Sequence, residues 1–237
     1  MTQWPKVLPT LTEDQIRIKD DFMKHWHEVL PKRYSFIERF NHSYPLHQSF
    51  KYIKKPENSF IKTLEIGAGL GEHLIYEDLS SQDYYCLELR ENMSQKISEK
   101  FPQVHVITGD CQKTLPFEKE FFSRIIAVHV LEHLPDLPSA LKECHRVLAK
   151  GGVFSVVIPC DPGLVYGLAR SVSAKYIFEK RYQQSYDWFI STEHINTPSE
   201  ILYEIDPLFD IVSRRFFPFF FPVTSLNLCI GLTLVKK

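Results

Sequence analysis

Residues 63–74 read Thr-Leu-Glu-Ile-Gly-Ala-Gly-Leu-Gly-Glu-His-Leu, and this stretch decides the fold. Leu64 and Ile66 read as the end of a buried strand. Gly67, Gly69 and Gly71 make a turn in which no Cβ blocks a ligand, and glycine accepts positive φ where the turn needs it. Residues 72–79 are expected to open a helix. A strand, a glycine turn and a helix N-terminus together form a pocket for a polar ligand. Glu65 is expected at the mouth of that pocket, where a carboxylate suits a positively charged ligand and repels a pyrophosphate. A glycine-rich turn with no ligand is the plain alternative.

The glycine spacing separates two ligands. A dinucleotide turn reads Gly-x-Gly-x-x-Gly, and here Gly71 arrives one place early. The pattern Glu65-x-Gly67-x-Gly69-x-Gly71 resembles motif I of class I S-adenosylmethionine-dependent methyltransferases, where this loop wraps the methionine part of the cofactor. The resemblance implies cofactor contacts from Glu65, Gly67, Ala68, Gly69 and Gly71.

Outward from the loop, strands alternate with helices, which implies a parallel sheet. Strands are expected at 62–66, 84–89, 104–108, 123–129 and 153–159, and helices at 91–100 and 137–149, with Gly151 or Gly152 as the C-cap of the latter. Residues 160–207 are irregular, with helices at 164–182 and 198–205. Strands at 209–217 and 226–235 are expected to close the chain as a hairpin. The fold class is α/β: a doubly wound, mostly parallel seven-stranded sheet ending in an antiparallel hairpin, as in the methyltransferase version of this architecture.

Ahead of the sheet, residues 1–10 read as a loose arm. Thr12 and Gln15 have capping-box spacing. Ile16, Phe22, Met23, Trp26 and Leu30 form an amphipathic stripe up to Pro31, and a second helix is expected at 33–40. The aromatic piece that follows carries His42 and His47 at no metal-ligand spacing. Lys51, Lys54 and Lys55 read as a solvated face. The expected division is an N-terminal helical cap at 1–60 and a methyltransferase domain at 61–237, in which 160–208 caps the substrate.

Ligands of such sheets bind outside the carboxyl ends of the strands, and four strand ends carry suitable groups. Glu88 follows the loop by about twenty residues, where an acid accepts hydrogen bonds from ribose hydroxyls. By resemblance Asp110 takes the adenine amino group and the Cys111 amide lies near the ring, while Leu89 packs against the adenine or ribose face; an ordinary turn bond is the alternative for Asp110. His129 stands at the tip of the fourth strand, with an imidazole suited to general-base work or to lining the cofactor's carboxylate end. The following Leu131-Glu132-His133-Leu134-Pro135-Asp136 resembles the segment after that strand in the ubiquinone and menaquinone methyltransferase group; Glu132 and His133 read as helix-start and packing groups. Glu193-His194-Ile195-Asn196 resembles a segment that relatives carry before the sixth strand, which makes His194 a second catalytic candidate and Asp161 a weaker one. The family often has an acid at the start of the fourth strand. Ser123-Arg124 stand there instead, at a place remote from the cofactor.

Composition sets the remaining bounds. A hydrophobic share of 44% supports a core, and a formal net charge of −1 argues against nucleic acid as partner. Five scattered cysteines with no Cys-x-x-Cys predict reduced, buried thiols and neither a zinc knuckle nor a disulfide framework. The N-terminus lacks a signal-peptide pattern, and residues 216–235 alternate with strand period rather than forming a membrane span. A cytoplasmic protein is expected. No metal is expected, since acids near Asp136 and Asp161 are too few. The reading is S-adenosylmethionine-dependent methylation, at oxygen (or carbon), of a small-molecule, sugar or lipid-linked acceptor. A nicotinamide-dependent oxidoreductase and a non-catalytic cofactor-binding scaffold are the alternatives. The run Phe216-Phe217-Pro218-Phe219-Phe220-Phe221 reads as strand and pocket wall; where exposed, with Arg214 and Arg215 beside it, it suits peripheral contact with a membrane surface or lipid acceptor.

Overall fold

The computed structural model describes residues 2–33, 35–53 and 60–237. The side chains of residues 26–34, with Trp26 and Leu30 of the expected stripe, and residues 54–59, with Lys54 and Lys55, lie outside the described part. Helix α1 (Glu13–Arg33) opens on the expected capping box: the Thr12 amide donates to Gln15 Oε1 at 3.0 Å and the Gln15 amide to Thr12 Oγ1 at 3.2 Å. It runs past Pro31. Helix α2 (Ser35–Tyr52) is longer than expected and takes in the whole histidine-rich piece, Pro45 included. Tertiary contacts hold it. Ser49 Oγ meets Ser155 Oγ at 2.7 Å, and Tyr44 lies so close over Gly231 that a Cβ there would come within 2.6 Å of its ring.

The strands are β1 (Ile61–Ile66), β2 (Gln82–Glu88), β3 (His105–Thr108), β4 (Phe122–Val128), β5 (Leu148–Pro159), β6 (Phe209–Phe217) and β7 (Cys229–Lys236). They form one sheet in the order β3-β2-β1-β4-β5-β7-β6, with β7 antiparallel to both neighbours and the other pairs parallel. The expected class and closing hairpin are therefore found. The helices are α3 (Glu91–Lys100), α4 (Leu137–Val147), α5 (Leu164–Arg170), α6 (Tyr176–Tyr182), α7 (Asp187–Glu193) and α8 (Pro198–Ile205). A π-helical segment, Ser171–Lys175, joins α5 to α6 over the expected 164–182. The two faces of β5 divide the core. Phe154, Val156 and Ile158 pack with α4 and α8, while Val157 packs with Tyr44 of α2. Ile18 and Phe22 of α1 pack against Ala174, Phe178, Tyr186 and Phe189, so the N-terminal helix and the insert share a core of their own.

Four expectations are corrected. No α-helix follows the glycine loop; residues 72–79 carry only the 3-10 turn Leu74–Tyr76 and lead into a second, Leu79–Ser81. A buried ion pair holds this segment instead: Glu77 takes two contacts of 2.8 Å from Arg124 and one each from His73 and Gln82. Arg124, discounted in the sequence as remote from the cofactor, is thus the anchor of the crossover. Helix α4 stops at Val147 because Leu148 is already extended and paired with Phe122; the left-handed Gly151, φ +73°, lies inside the β5 span and caps nothing. The last strand starts at Cys229, since Thr224–Leu226 is a 3-10 turn. Residues 2–10 are a docked arm: Trp4 Nε1 donates to Glu204 at 3.1 Å, and Lys6 Nζ reaches the Ile195 carbonyl at 2.7 Å and Glu200 at 2.8 Å.

All five cysteines are free and buried. No helix among the described residues is long and apolar enough to cross a membrane.

Candidate active site

The glycine loop is tied to the ends of two strands. The amides of Gly67 and Ala68 donate to the Leu87 carbonyl at 2.8 and 3.2 Å, and the Gly69 amide donates to Glu88 Oε2 at 3.0 Å. Gly67, Gly69 and Gly71 all have positive φ, at 65°, 59° and 77°. The first approaches Val130 so closely that a Cβ would sit 2.5 Å from its methyl. Glycine is therefore required twice over, by conformation and by space. Glu72 takes the place a helix N-terminus was expected to fill, its Oε2 accepting the Leu70 amide at 2.8 Å.

Glu65 lies under the loop rather than at an open mouth. It is 4% exposed and accepts from the Tyr84 hydroxyl at 2.9 Å. Burial pushes its carboxyl up to about 8, against the smaller opposing effect of the Tyr84 hydrogen bond. A neutral acid repels no pyrophosphate, so the electrostatic part of the ligand argument does not rest on Glu65.

Glu88 is 2% exposed at the end of β2, and its Oε1 accepts from Arg90 Nε at 2.8 Å and the Arg90 amide at 3.1 Å. Leu89 beside it is 64% exposed, an apolar side chain presented at a strand end where a ring has somewhere to lie. Asp110 makes the ordinary turn weighed in the sequence: its Oδ1 accepts from the Gln112 amide at 2.9 Å. Cys111 is core, its thiol pushed up to about 12 chiefly by burial. These strand ends and the loop occupy one edge of the sheet.

His129 ends β4 with φ +54°, a left-handed conformation unusual outside glycine. Its amide is fixed by the Val157 carbonyl at 2.9 Å and its Nδ1 lies 3.1 Å from Glu132 Oε1. Burial alone would lower its pKa, but hydrogen bonds with Cys229 and Glu132 reverse this and hold the imidazole above its ordinary value.

The two resembling segments clip together. The amides of Ile195 and Asn196 donate to the Glu132 carbonyl at 2.9 and 3.0 Å, and Asn196 Nδ2 donates to the carbonyls of Leu131 and Leu134 at 2.8 and 2.7 Å. His133 Nδ1 meets the Glu193 carbonyl at 2.7 Å, and His194 Nδ1 meets Asp161 Oδ2 at 2.8 Å. Arg170 also binds Asp161. Burial raises the Asp161 carboxyl, but the His194 and Arg170 contacts outweigh it and hold it below its ordinary range. Glu132 is 1% exposed, which is deeper than a helix-start role requires. His129, Glu132, His133, His194 and Asp161 form one connected group beside the cofactor edge. The sequence offers all five singly but carries no signal for their assembly.

The aromatic run divides in two. Phe216 is buried and Phe217 stacks on Phe40 at 4.7 Å, whereas Phe219, Phe220 and Phe221 are 49%, 89% and 66% exposed.

The comparisons agree with this architecture. Residues 64–156 match the family model described as a methyltransferase domain. The chain is 26% identical over 136 residues to 2-methyl-6-phytyl-1,4-hydroquinone methyltransferase 1, chloroplastic, of Oryza sativa subsp. japonica, covering 54% of this chain and 39% of that protein. It is 28% identical over 155 residues to the demethylmenaquinone methyltransferase of Leptospira interrogans, covering 59% and 61%. It thus spans less than two thirds of these relatives' length. Among solved structures, the PH0226 protein of Pyrococcus horikoshii OT3 superposes with TM-score 0.63 at 18% identity, over 90% of this chain and 99% of that one. A SAM-dependent methyltransferase from Aquifex aeolicus gives 0.58 at 14%, over 92% and 98%. The fold is the one these solved structures share, and residues 64–156 are a methyltransferase-domain segment.

Proposed function

We propose that this protein transfers the methyl group of S-adenosylmethionine to a small acceptor with an apolar or lipid-linked body, at an atom that gives up a proton. The observation that carries the reading is the 3.0 Å bond from the Gly69 amide to Glu88, which makes the loop and the strand-end acid one ligand-facing unit. In this reading Glu88 accepts from the ribose hydroxyls once the Arg90 side chain swings off it, and Asp110 serves the adenine. When bound, the cofactor supplies an electrophilic methyl, so the protein has only to align the nucleophile and take its proton. His129 at the strand tip, its basicity raised against burial by its hydrogen bonds with Cys229 and Glu132, can do so once its ring is neutral, and His194 across from it, held by Asp161, is the second candidate. The sequence favours oxygen as the methylated atom. The relatives' names point to hydroquinone- and menaquinone-type acceptors, and the exposed Phe219–Phe221 segment supports an apolar one.

Calorimetry with S-adenosylhomocysteine tests this. Hydrogen bonds to a charged group contribute about 1.5–3 kcal/mol each, so Glu88→Ala is expected to weaken binding about 10- to 100-fold. No binding by the intact chain, or undiminished binding by the variant, sinks the proposal. Methyl transfer from labelled cofactor to hydroquinone acceptors then separates an enzyme from a cofactor-binding scaffold of the same fold.

A further inference from the structure

The group beside His129 has a feature that proton transfer leaves unused. One ligand atom each from Glu132, His133 and His194 lie within 4.8 Å of one another, with Glu132 Oε1 and His133 Nε2 at 3.8 Å. Ligands of a tetrahedral ion with bonds of about 2.0–2.1 Å stand roughly 3.4 Å apart, so a small contraction closes the group round a cation.

Two independent observations point to a ligand. First, Glu132 is 1% exposed, and its Oε2 is buried without a hydrogen-bond partner. A buried carboxylate oxygen left bare is costly, and a cation removes that cost. Second, both imidazoles are held from behind. His133 meets the Glu193 carbonyl through Nδ1, and His194 meets Asp161 through Nδ1. An acceptor on Nδ1 fixes the proton there and presents Nε2 as a lone pair, which is how metal-bound histidines are oriented. The other local charges are already matched: Asp161 is paired with Arg170, and Glu193 with Lys19 at 2.5 Å.

We propose that Glu132, His133 and His194 form a binding site for a divalent first-row transition ion of the zinc class. Two imidazoles and one carboxylate suit such an ion, and three protein ligands leave a position for water or an acceptor oxygen. The expectation of no metal came from counting acids along the chain. This site uses one acid and two histidines, of which His194 joins through the fold.

The test is titration of the full chain with Co2+, read by its visible d–d absorption, with zinc content of the purified protein measured by mass spectrometry. One ion per chain at micromolar free Co2+ is expected, displaced by Zn2+. Glu132→Gln and His194→Ala should abolish the absorption, and Asp161→Asn should weaken binding about 10- to 100-fold through the orientation of His194. Wild-type protein that takes up no ion overturns the proposal without recourse to any variant. So does binding that persists undiminished in folded Glu132→Gln and His194→Ala protein, with folding verified by circular dichroism. The readout is the ion, so failure here leaves the cofactor-binding result standing, and failure there leaves this one.

Discussion

Replacing Arg124 by methionine tests whether the crossover after β1 is held by its buried ion pair. The Arg124 and Glu77 side chains are both 0% exposed. Arg124 gives Glu77 two contacts of 2.8 Å, and its guanidinium lies 4.7 Å from the Phe50 ring centroid. Its Nε has no partner, so even the native arrangement is not fully compensated. Methionine keeps most of the volume but leaves a buried carboxylate with only His73 and Gln82. Removing one partner of a buried pair costs about 3–5 kcal/mol. In a chain of this size each kcal/mol shifts the thermal midpoint by about 2–4 °C, so a fall of roughly 6–20 °C is expected. The double variant Arg124→Met with Glu77→Gln removes the stranded charge and should recover most of that loss. Urea unfolding of the wild type, both single variants and the double variant gives the coupling energy directly. An Arg124→Met protein within about 1 kcal/mol of wild type, or a double variant no better than the single, refutes the argument.

Two further outcomes follow from the same structure. Glu65 titrates at about 8 in the fold against 4.5 as a free side chain, and His73 at about 4 against 6.5, both through burial. The raised acid contributes stability that is present below pH 4.5 and lost as pH rises to 8; the depressed imidazole contributes stability that is present above pH 6.5 and lost as pH falls to 4. The two oppose each other between 4.5 and 6.5, so above 6.5 the Glu65 effect acts alone and should remove about 2 kcal/mol by pH 8. Glu65→Gln should flatten that limb in chemical denaturation, and a slope equal to wild type's would disprove the assignment. Phe220 and Phe221 are 89% and 66% exposed. Changing both to serine should move stability by no more than about 0.5 kcal/mol each while abolishing co-sedimentation with anionic vesicles; wild-type protein that stays in the supernatant rules out a membrane-facing role.

The sequence by itself determined what repeats along one strand or helix. Alternation between Ile61 and Pro159 fixed a parallel α/β sheet, the period-two pattern before Val235 fixed a strand where a membrane span was conceivable, and three glycines in five residues fixed the loop. Glu88, Asp110 and His129 were legible because chain order places them at successive strand ends. What lies across the chain was decided only by tertiary structure. Arg124 and Glu77 are 47 residues apart, and their ion pair replaces a helix that local pattern led one to expect. Glu65 has the composition of a surface acid, yet desolvation in the sheet raises its carboxyl to about 8. Glu132 and His194 lie on segments whose hydrogen bonds run from Ile195 and Asn196 back to the Glu132 carbonyl. No periodicity encodes that clip, because it arises when the insert folds back over the end of β4, and with it Glu132, His133 and His194 are brought together.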